Sequence, residues 1–181
     1  NPEILKRFVN FMNNPDEATA VAQFGKGDKY IGVCVMLVTM PGLPMIGHGQ
    51  VEGFTEKYGM EYRKAYWDEE PDWDLVHRHE RYVFPVMRRR YLFADVQNFF
   101  LYDFFSPEGQ VNENVFAYSN SIHNEHGLVI YHNKFENASG WIKISAAYSM
   151  KTGSGEERRL SQKSLGDALH LHHESHYFVI F

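Results

Sequence analysis

The segment PGLPMIGHGQVEGF, residues 41–54, carries the pattern that decides the fold. The apolar stretch 30–40 precedes it and has the length of a buried helix, which Pro41 and Gly42 end. Residues 43–46 form a short apolar run that leads into a glycine-rich loop. An apolar run of this length between breaker residues is typical of a buried strand. The segment therefore predicts a helix, a buried strand and a loop at the end of that strand.

The preceding segment has the same organisation. Residues 5–12 are predicted as a strand and residues 18–24 as a short helix, with the signals of a helix start at residues 15–17. Pro15 at the first helical position, with Asp16 and Glu17 in the first turn, is a typical helix start. Strands that alternate with helices in this way favour parallel α/β structure.

The pattern changes near residue 94. Residues 72–93 predict a long amphipathic helix with a kink at Pro85. After it come short aromatic or β-branched runs separated by turn residues, at 96–105, 115–119, 128–132, 141–145 and 177–181. Such runs predict an antiparallel sandwich or barrel. The fold class expected is α/β followed by all-β, with a domain boundary between residues 94 and 95.

Composition excludes several classes of protein. The chain has 18 Lys and Arg against 23 Asp and Glu, and this net charge of −5 argues against nucleic-acid binding. The single Cys34 excludes an internal disulfide and a cysteine-rich zinc site. No apolar stretch reaches the ~20 residues of a membrane span. The chain begins without Met and ends inside an apolar run, so we expect a piece of a longer polypeptide and leave its compartment open.

Polar residues follow each of the two predicted strands. Asn14 and Asp16 follow the first, and His48, Gln50 and Glu52 follow the second. The carboxyl ends of parallel strands are where a barrel presents its functional side chains, and carboxylates, amides and imidazoles there suit sugar hydroxyls. The alternative is structural. The acidic residues after the first strand then only favour a helix start, and the second loop is a tight turn with incidental polar groups.

Two further groups of residues leave alternatives open. His170 and His172 are predicted to share one face of a strand and could ligate a metal, although histidines on a solvated face are commoner. Five aromatic residues could stack on sugar rings or serve only in packing, namely Tyr58, Tyr62, Tyr66, Trp67 and Trp73.

Residues 8–16, FVNFMNNPD, and residues 40–53 together resemble the end of the catalytic barrel in the α-amylase family of glycoside hydrolases. In that family a Phe-x-x-Asn-His-Asp segment follows the seventh barrel strand. An apolar helix, a Pro-Gly-x-Pro strand and a Tyr-Gly-x-Glu loop come after it. The helix that contains residues 88–90, RRR, resembles the last barrel helix, and residues 112–118, NENVFAY, resemble the domain that follows.

This resemblance implies both architecture and activity. Residues 1–94 would be the last strand–helix units of a (β/α)8 barrel, packed on an incomplete antiparallel β-sandwich formed by residues 95–181. The activity implied is that of a retaining hydrolase or transglycosylase acting on α-glucosidic bonds. The partners implied are an α-glucan or oligosaccharide substrate and the upstream barrel, with neither nucleic acid nor membrane. No cofactor is expected, although a structural calcium ion is compatible with the resemblance.

The resemblance also assigns roles to single residues. Asp16 corresponds to the family's third carboxylate, which binds sugar hydroxyls and helps to distort the ring. Asn14, His48, Gln50 and Glu52 are the implied substrate-binding residues. The nucleophile and general acid of the family come from the fourth and fifth strands, so we expect no turnover by this chain alone.

The chain departs from the family pattern at two places. Pro15 stands where the family has histidine, which removes one hydrogen bond to a sugar hydroxyl. The loop 49–52 has one residue more than the usual form, which affects the role of Glu52. These departures favour an alternative function, a non-catalytic carbohydrate-binding or interaction module derived from such an enzyme.

Overall fold

The computed structural model describes residues 2–151 and 158–172 of the chain. The chain divides into two compact units, Pro2–Asp95 and the residues from Val96 onward. We call them the first and second unit and describe each by itself. The longest helix of the described residues has 12 residues, and none of their helices is long and apolar enough to cross a membrane.

The first unit is built on a pair of parallel strands. Its elements up to the second strand are α1 (Pro2–Leu5), β1 (Val9–Phe11), α2 (Ala20–Phe24), α3 (Asp28–Thr39) and β2 (Leu43–Met45). The strands β1 and β2 are parallel, with Asn10 opposite Pro44. The parallel direction expected for these strands agrees with the structure, although β1 is shorter than the predicted residues 5–12 because Pro2–Leu5 is helical.

The core of the first unit joins these strands to the helices. The buried apolar side chains are Met12, Ala20, Val21, Tyr30, Cys34, Leu37, Val38, Leu75 and Val83. Five of them come from α3 and the residue that follows β1, so α3 is the central element of this core. This central position explains why the sequence of α3 is apolar, the feature that predicted a buried helix.

One face of the parallel pair is bare. Because side chains alternate between the faces of a strand, Val9, Phe11 and Leu43 lie on the same face of the pair. They are 48%, 44% and 63% exposed. Parallel sheets in proteins are covered on both faces, so this apolar face has the character of a surface that packs against further structure.

The predicted helix start at Pro15 is wrong. The helix α2 begins at Ala20, and its N-cap is Thr19, whose Oγ1 accepts a hydrogen bond from the Ala22 N–H. Thr19 supplies the side-chain oxygen that this position needs, whereas Asp16 lies before the helix in a turn. The interpretation of Asp16 as a helix-start residue is therefore excluded.

The long helix predicted for residues 72–93 is interrupted. It consists of α4 (Trp73–Arg78), a π-helical turn (His79–Val83), α5 (Phe84–Met87) and α6 (Arg90–Ala94). Asp72 caps α4 by accepting a hydrogen bond from the Leu75 N–H. Pro85 has no N–H and its ring would collide with the preceding turn of an α-helix. The wider π turn directly before it accommodates the ring, so the irregularity precedes the proline.

The second unit contains antiparallel strands. A three-stranded sheet holds β3 (Phe100–Tyr102), β4 (Val115–Ile122) and β5 (Glu125–His132), and a two-stranded sheet holds β6 (Tyr148–Lys151) and β7 (Arg158–Ser161). A short helix, α7 (Leu165–Ala168), follows. The antiparallel direction agrees with the expectation, and the sandwich remains a prediction.

Three details of this second unit differ from the prediction. The turn between the predicted runs 115–119 and 128–132 forms at His123, whose φ is +51°, and β5 already begins at Glu125. The predicted strand 141–145 makes only isolated bridges, one of them between Phe105 and Trp141. The predicted strand 177–181 lies outside the described residues.

The bare face of the parallel pair should make the chain self-associate or bind hydrophobic dyes. We expect the double variant Phe11→Lys, Leu43→Lys to reduce both effects, measured by light scattering and dye fluorescence, because both side chains are on that face. The matched control is Leu101→Lys, which changes a leucine of β3 that is 43% exposed, close to the 44% of Phe11, and should leave both signals unchanged. A monodisperse unmodified chain that binds no dye would contradict the prediction.

Candidate functional site

The loops that follow the two parallel strands meet at one edge of the pair. The Lys57 Nζ, from the second loop, donates a hydrogen bond of 2.9 Å to the backbone carbonyl of Asp16 in the first. Deeper in the site, Gly47 packs so closely on Asn13 that a Cβ at Gly47 would lie 2.4 Å from the Asn13 Oδ1. Only glycine fits there, and the two loops therefore form one continuous surface.

The turn after β1 exposes Asp16. The Oδ1 of Asn14 accepts hydrogen bonds from the N–H groups of Asp16, at 2.8 Å, and Glu17, at 3.0 Å. This arrangement is typical of asparagine in turns, and it fixes the backbone on which the Asp16 side chain stands. Among the described residues, no hydrogen bond or ion pair engages the Asp16 carboxylate, which lies in an exposed residue. Asn14 thus positions Asp16 and uses its own carbonyl oxygen to do so.

Asn13 is a site residue that the sequence reasoning missed. Its side chain is 1% exposed, and its Oδ1 has no hydrogen-bond partner among the described residues. A buried acceptor without a donor costs ~1–3 kcal/mol, so such groups concentrate at functional positions. The only signal in the sequence was the pair of adjacent asparagines after an apolar strand.

Gln50 supports the second loop from inside. It is 1% exposed, and its Oε1 accepts a hydrogen bond of 3.1 Å from the Gly47 N–H. Its Nε2 lies 3.4 Å from the Met12 Sδ in the core. The amide of Gln50 is therefore not on the surface, whereas a residue that contacts a sugar directly must be.

Cys34 and His79 form a buried polar pair next to Gln50. The Cys34 Sγ is 3.7 Å from the Nε2 of His79, and His79 Nδ1 lies 2.9 Å from the Leu75 carbonyl oxygen. Burial raises the pKa of the Cys34 thiol to about 12, although the hydrogen bond with Gln50 opposes this. Burial also lowers the pKa of His79. Both groups are thus neutral at pH 7, and Cys34 is an inert core residue rather than a nucleophile.

His48 lies on the surface in a group of aromatic rings. Its ring centroid is 5.0 Å from that of Tyr58 and 5.8 Å from that of Tyr62. Its backbone N–H donates to the Tyr58 hydroxyl. These contacts fix the imidazole of an exposed residue in the loop after β2.

Glu52 has a partly structural position. Its backbone carbonyl accepts a hydrogen bond of 2.8 Å from the Asp72 N–H, which connects the loop to the start of α4. Burial raises the pKa of Tyr30, and the negative charge of Glu52 adds to this effect. None of the described contacts joins Glu52 to Asp16.

The carboxylates of Glu56 and Glu69 hold residues 55–70, the long segment that follows β2. Glu69 accepts hydrogen bonds from the N–H groups of Thr55 and Glu56, both at 2.8 Å, and from the Thr55 hydroxyl at 2.6 Å. Glu56 in turn accepts from the N–H groups of Tyr66 and Trp67 at 2.9–3.1 Å. The segment has no helix or strand, so these bonds provide the acceptors that secondary structure would otherwise supply.

The five aromatic residues fall into two groups. Tyr58 and Tyr62 pack on His48, and the Trp73 ring lies 6.2 Å from that of His77. Trp73 is nevertheless 62% exposed, and Tyr66 and Trp67 are 76% and 57% exposed.

The strand predicted for the histidines near the end of the chain is wrong. His170 follows α7 with a φ of +53° and has its ring 5.2 Å from that of His126. In residues 2–151 and 158–172, no three His, Cys, Asp or Glu side chains are grouped so as to hold a metal ion. His173 and His176 lie outside the described residues.

The chain matches no model of a known protein family, and no curated protein matches it. The α-amylase resemblance therefore depends on the quoted motifs and on the arrangement of the residues that they contain.

Acid should loosen the segment that Glu69 holds. Partial burial raises the pKa of Glu69, but the hydrogen bonds from Thr55 and Glu56 outweigh this and lower the pKa below its ordinary value of 4.5. A carboxyl whose pKa is lower in the folded state stabilises that state above its ordinary pKa and loses this contribution as the pH falls through the folded pKa. We expect hydrogen exchange at the Thr55 and Glu56 amides to speed up relative to other amides below about pH 4.5.

The matched control for this effect is Glu69→Gln. Glutamine keeps one acceptor oxygen but cannot titrate, so the two amides should exchange faster at neutral pH and lose the additional acceleration in acid. An identical pH dependence in the variant and the unmodified chain would show that Glu69 does not hold the segment.

Proposed function

We propose that this chain is part of an α-glucan-active glycoside hydrolase or transglycosylase of the α-amylase type, and that Asp16 is its third, transition-state-stabilising carboxylate. The proposal rests on one observation. The loops that follow the two parallel strands meet at the same edge of the pair, and the Asp16 carboxylate is exposed at that edge. This is where a (β/α)8 barrel places its active site.

The bare face of the parallel pair supports the barrel part of the proposal. Val9, Phe11 and Leu43 would be covered if the pair continued into further parallel strands and the apolar face turned toward a barrel interior. Met12, which directly follows β1, is buried in the core that α3 forms. A surface β-hairpin or an open antiparallel sheet would not need such cover.

The chemistry proposed for Asp16 follows from its charge and exposure. Its carboxylate accepts hydrogen bonds from sugar hydroxyls, and these bonds strengthen as the ring flattens toward an oxocarbenium-like transition state. The turn held by Asn14 fixes the carboxylate before substrate arrives, which lowers the cost of ordering it. We propose that the nucleophile and general acid come from another part of the polypeptide, as the resemblance implies.

A second candidate function is a non-catalytic carbohydrate-binding module derived from such an enzyme. Pro15 in place of the family histidine favours it, because a binding module can lose one active-site hydrogen bond without consequence. The exposed Tyr66 and Trp67 are compatible with both candidates.

The variant Asp16→Asn tests the catalytic proposal in the protein that carries this chain together with its catalytic pair. Asparagine keeps the size of the side chain and loses the charge that strengthens its hydrogen bonds. We expect turnover on maltooligosaccharides to fall by roughly two to four orders of magnitude, or ~3–5 kcal/mol of transition-state stabilisation. The melting temperature should change little, because Asp16 has no described side-chain partner.

The control is Glu17→Gln, which removes a charge from the neighbouring exposed residue and should keep most of the activity. Near-normal turnover of Asp16→Asn would exclude the catalytic role. Sugar binding without any turnover, in both the unmodified protein and the variant, would favour the binding module.

A further inference from the structure

Tyr66 and Trp67 are two large aromatic residues that project from the first unit with most of their surface in solvent. Isolated exposed aromatics are common, but these two are consecutive and their backbone is fixed. The Glu56 carboxylate accepts hydrogen bonds from both of their N–H groups, and Glu69 holds the backbone of Glu56. Chains of carboxylate-to-amide bonds of this kind reduce the freedom that a ligand would otherwise have to remove.

Residues 55–70, which we call the braced segment, are continuous with the edge that carries Asp16. Lys57 adjoins Glu56 and donates to the Asp16 carbonyl, and Tyr58 packs its ring on His48. The residues that fix the two exposed aromatics therefore lie next to those that contact the proposed catalytic edge.

The charge of the segment indicates what kind of ligand it accepts. Residues 55–70 contain five acidic residues and three basic ones, a net charge of 3 − 5 = −2. A negative segment disfavours phosphorylated ligands and nucleic acid, because like charges repel. A neutral ligand with a flat apolar face and polar edges suits two aromatic rings beside carboxylates and a tyrosine hydroxyl.

We propose that Tyr66 and Trp67 form an oligosaccharide-binding platform on which sugar rings stack, away from the ring that is bound at Asp16. Stacking buries the apolar C–H face of a pyranose against an aromatic ring. Glu56 is a positioning residue that fixes the backbone of both aromatic residues. The choice of an α-glucan as the ligand rests on the proposed function, whereas the stacking of pyranose rings does not.

Calorimetric titration with maltoheptaose and, separately, with cellohexaose tests the platform. We expect Trp67→Ala to weaken the binding of maltoheptaose at least about tenfold, and Tyr66→Ala to weaken it less because its ring is smaller. The matched control is Trp73→Ala, which removes a tryptophan of similar exposure outside the braced segment and should leave the Kd unchanged. Glu56→Gln should weaken binding by an intermediate factor and speed hydrogen exchange at the Tyr66 and Trp67 amides.

The remaining outcomes separate the platform from the proposed function. Binding of maltoheptaose that Trp67→Ala leaves unchanged, or that Trp73→Ala weakens equally, would overturn the platform and leave the role of Asp16 intact. Binding of cellohexaose alone, lost in Trp67→Ala, would support the platform and contradict an α-glucan function. If neither sugar binds, the platform is wrong, and turnover by Asp16→Asn decides the function independently.

Discussion

The parallel pairing of Val9–Phe11 with Leu43–Met45 is the constraint on which the rest of the first unit depends. Parallel strands cannot be joined by a tight hairpin, so the connection must cross over, and α2 and α3 form that crossover. The same geometry brings both carboxyl ends to one edge. The loops that contain Asp16 and His48 therefore meet, although more than thirty residues separate them in the sequence. The pairing also leaves one apolar face of the strands without cover.

A second constraint acts on the long segment after β2. A segment without helix or strand must still satisfy its backbone N–H groups, and carboxylates are strong acceptors for them. Glu69 and Glu56 together accept from four backbone N–H groups, at Thr55, Glu56, Tyr66 and Trp67. This explains how a polar surface segment can have a fixed conformation, and why acidic residues in it are structural rather than merely solubilising.

The sequence predicted those features that depend on local pattern. The apolar run 30–40 and the breakers at Pro41 and Gly42 gave a helix and a strand that match α3 and β2 closely. The helix start at Pro15 was wrong because the Asn14 side chain takes up the N–H groups of the next residues and delays the helix until Thr19 caps it. The π turn before Pro85 has no signal of its own, since it is set by where the ring must fit. The acceptors of the braced segment also had no signal, because they join residues ten or more positions apart.

The candidate site shows why residue type alone does not assign a role. Asn13, Asn14 and Gln50 all have side-chain amides, and all three were close to a predicted strand end. The Asn13 side chain is buried against Gly47, whereas the Asn14 side chain holds the turn. Gln50 is buried because the compact turn 47–50 folds its side chain back onto the Gly47 N–H. The buried side-chain amides of Asn13 and Gln50 thus support the two loops from the interior. The exposed groups that remain for a ligand are the Asp16 carboxylate and the His48 ring. Some residues of this site support the loops, and others are exposed to a ligand. We therefore expect substitution of the buried amides to change stability, and substitution of the exposed groups to change the proposed binding and turnover.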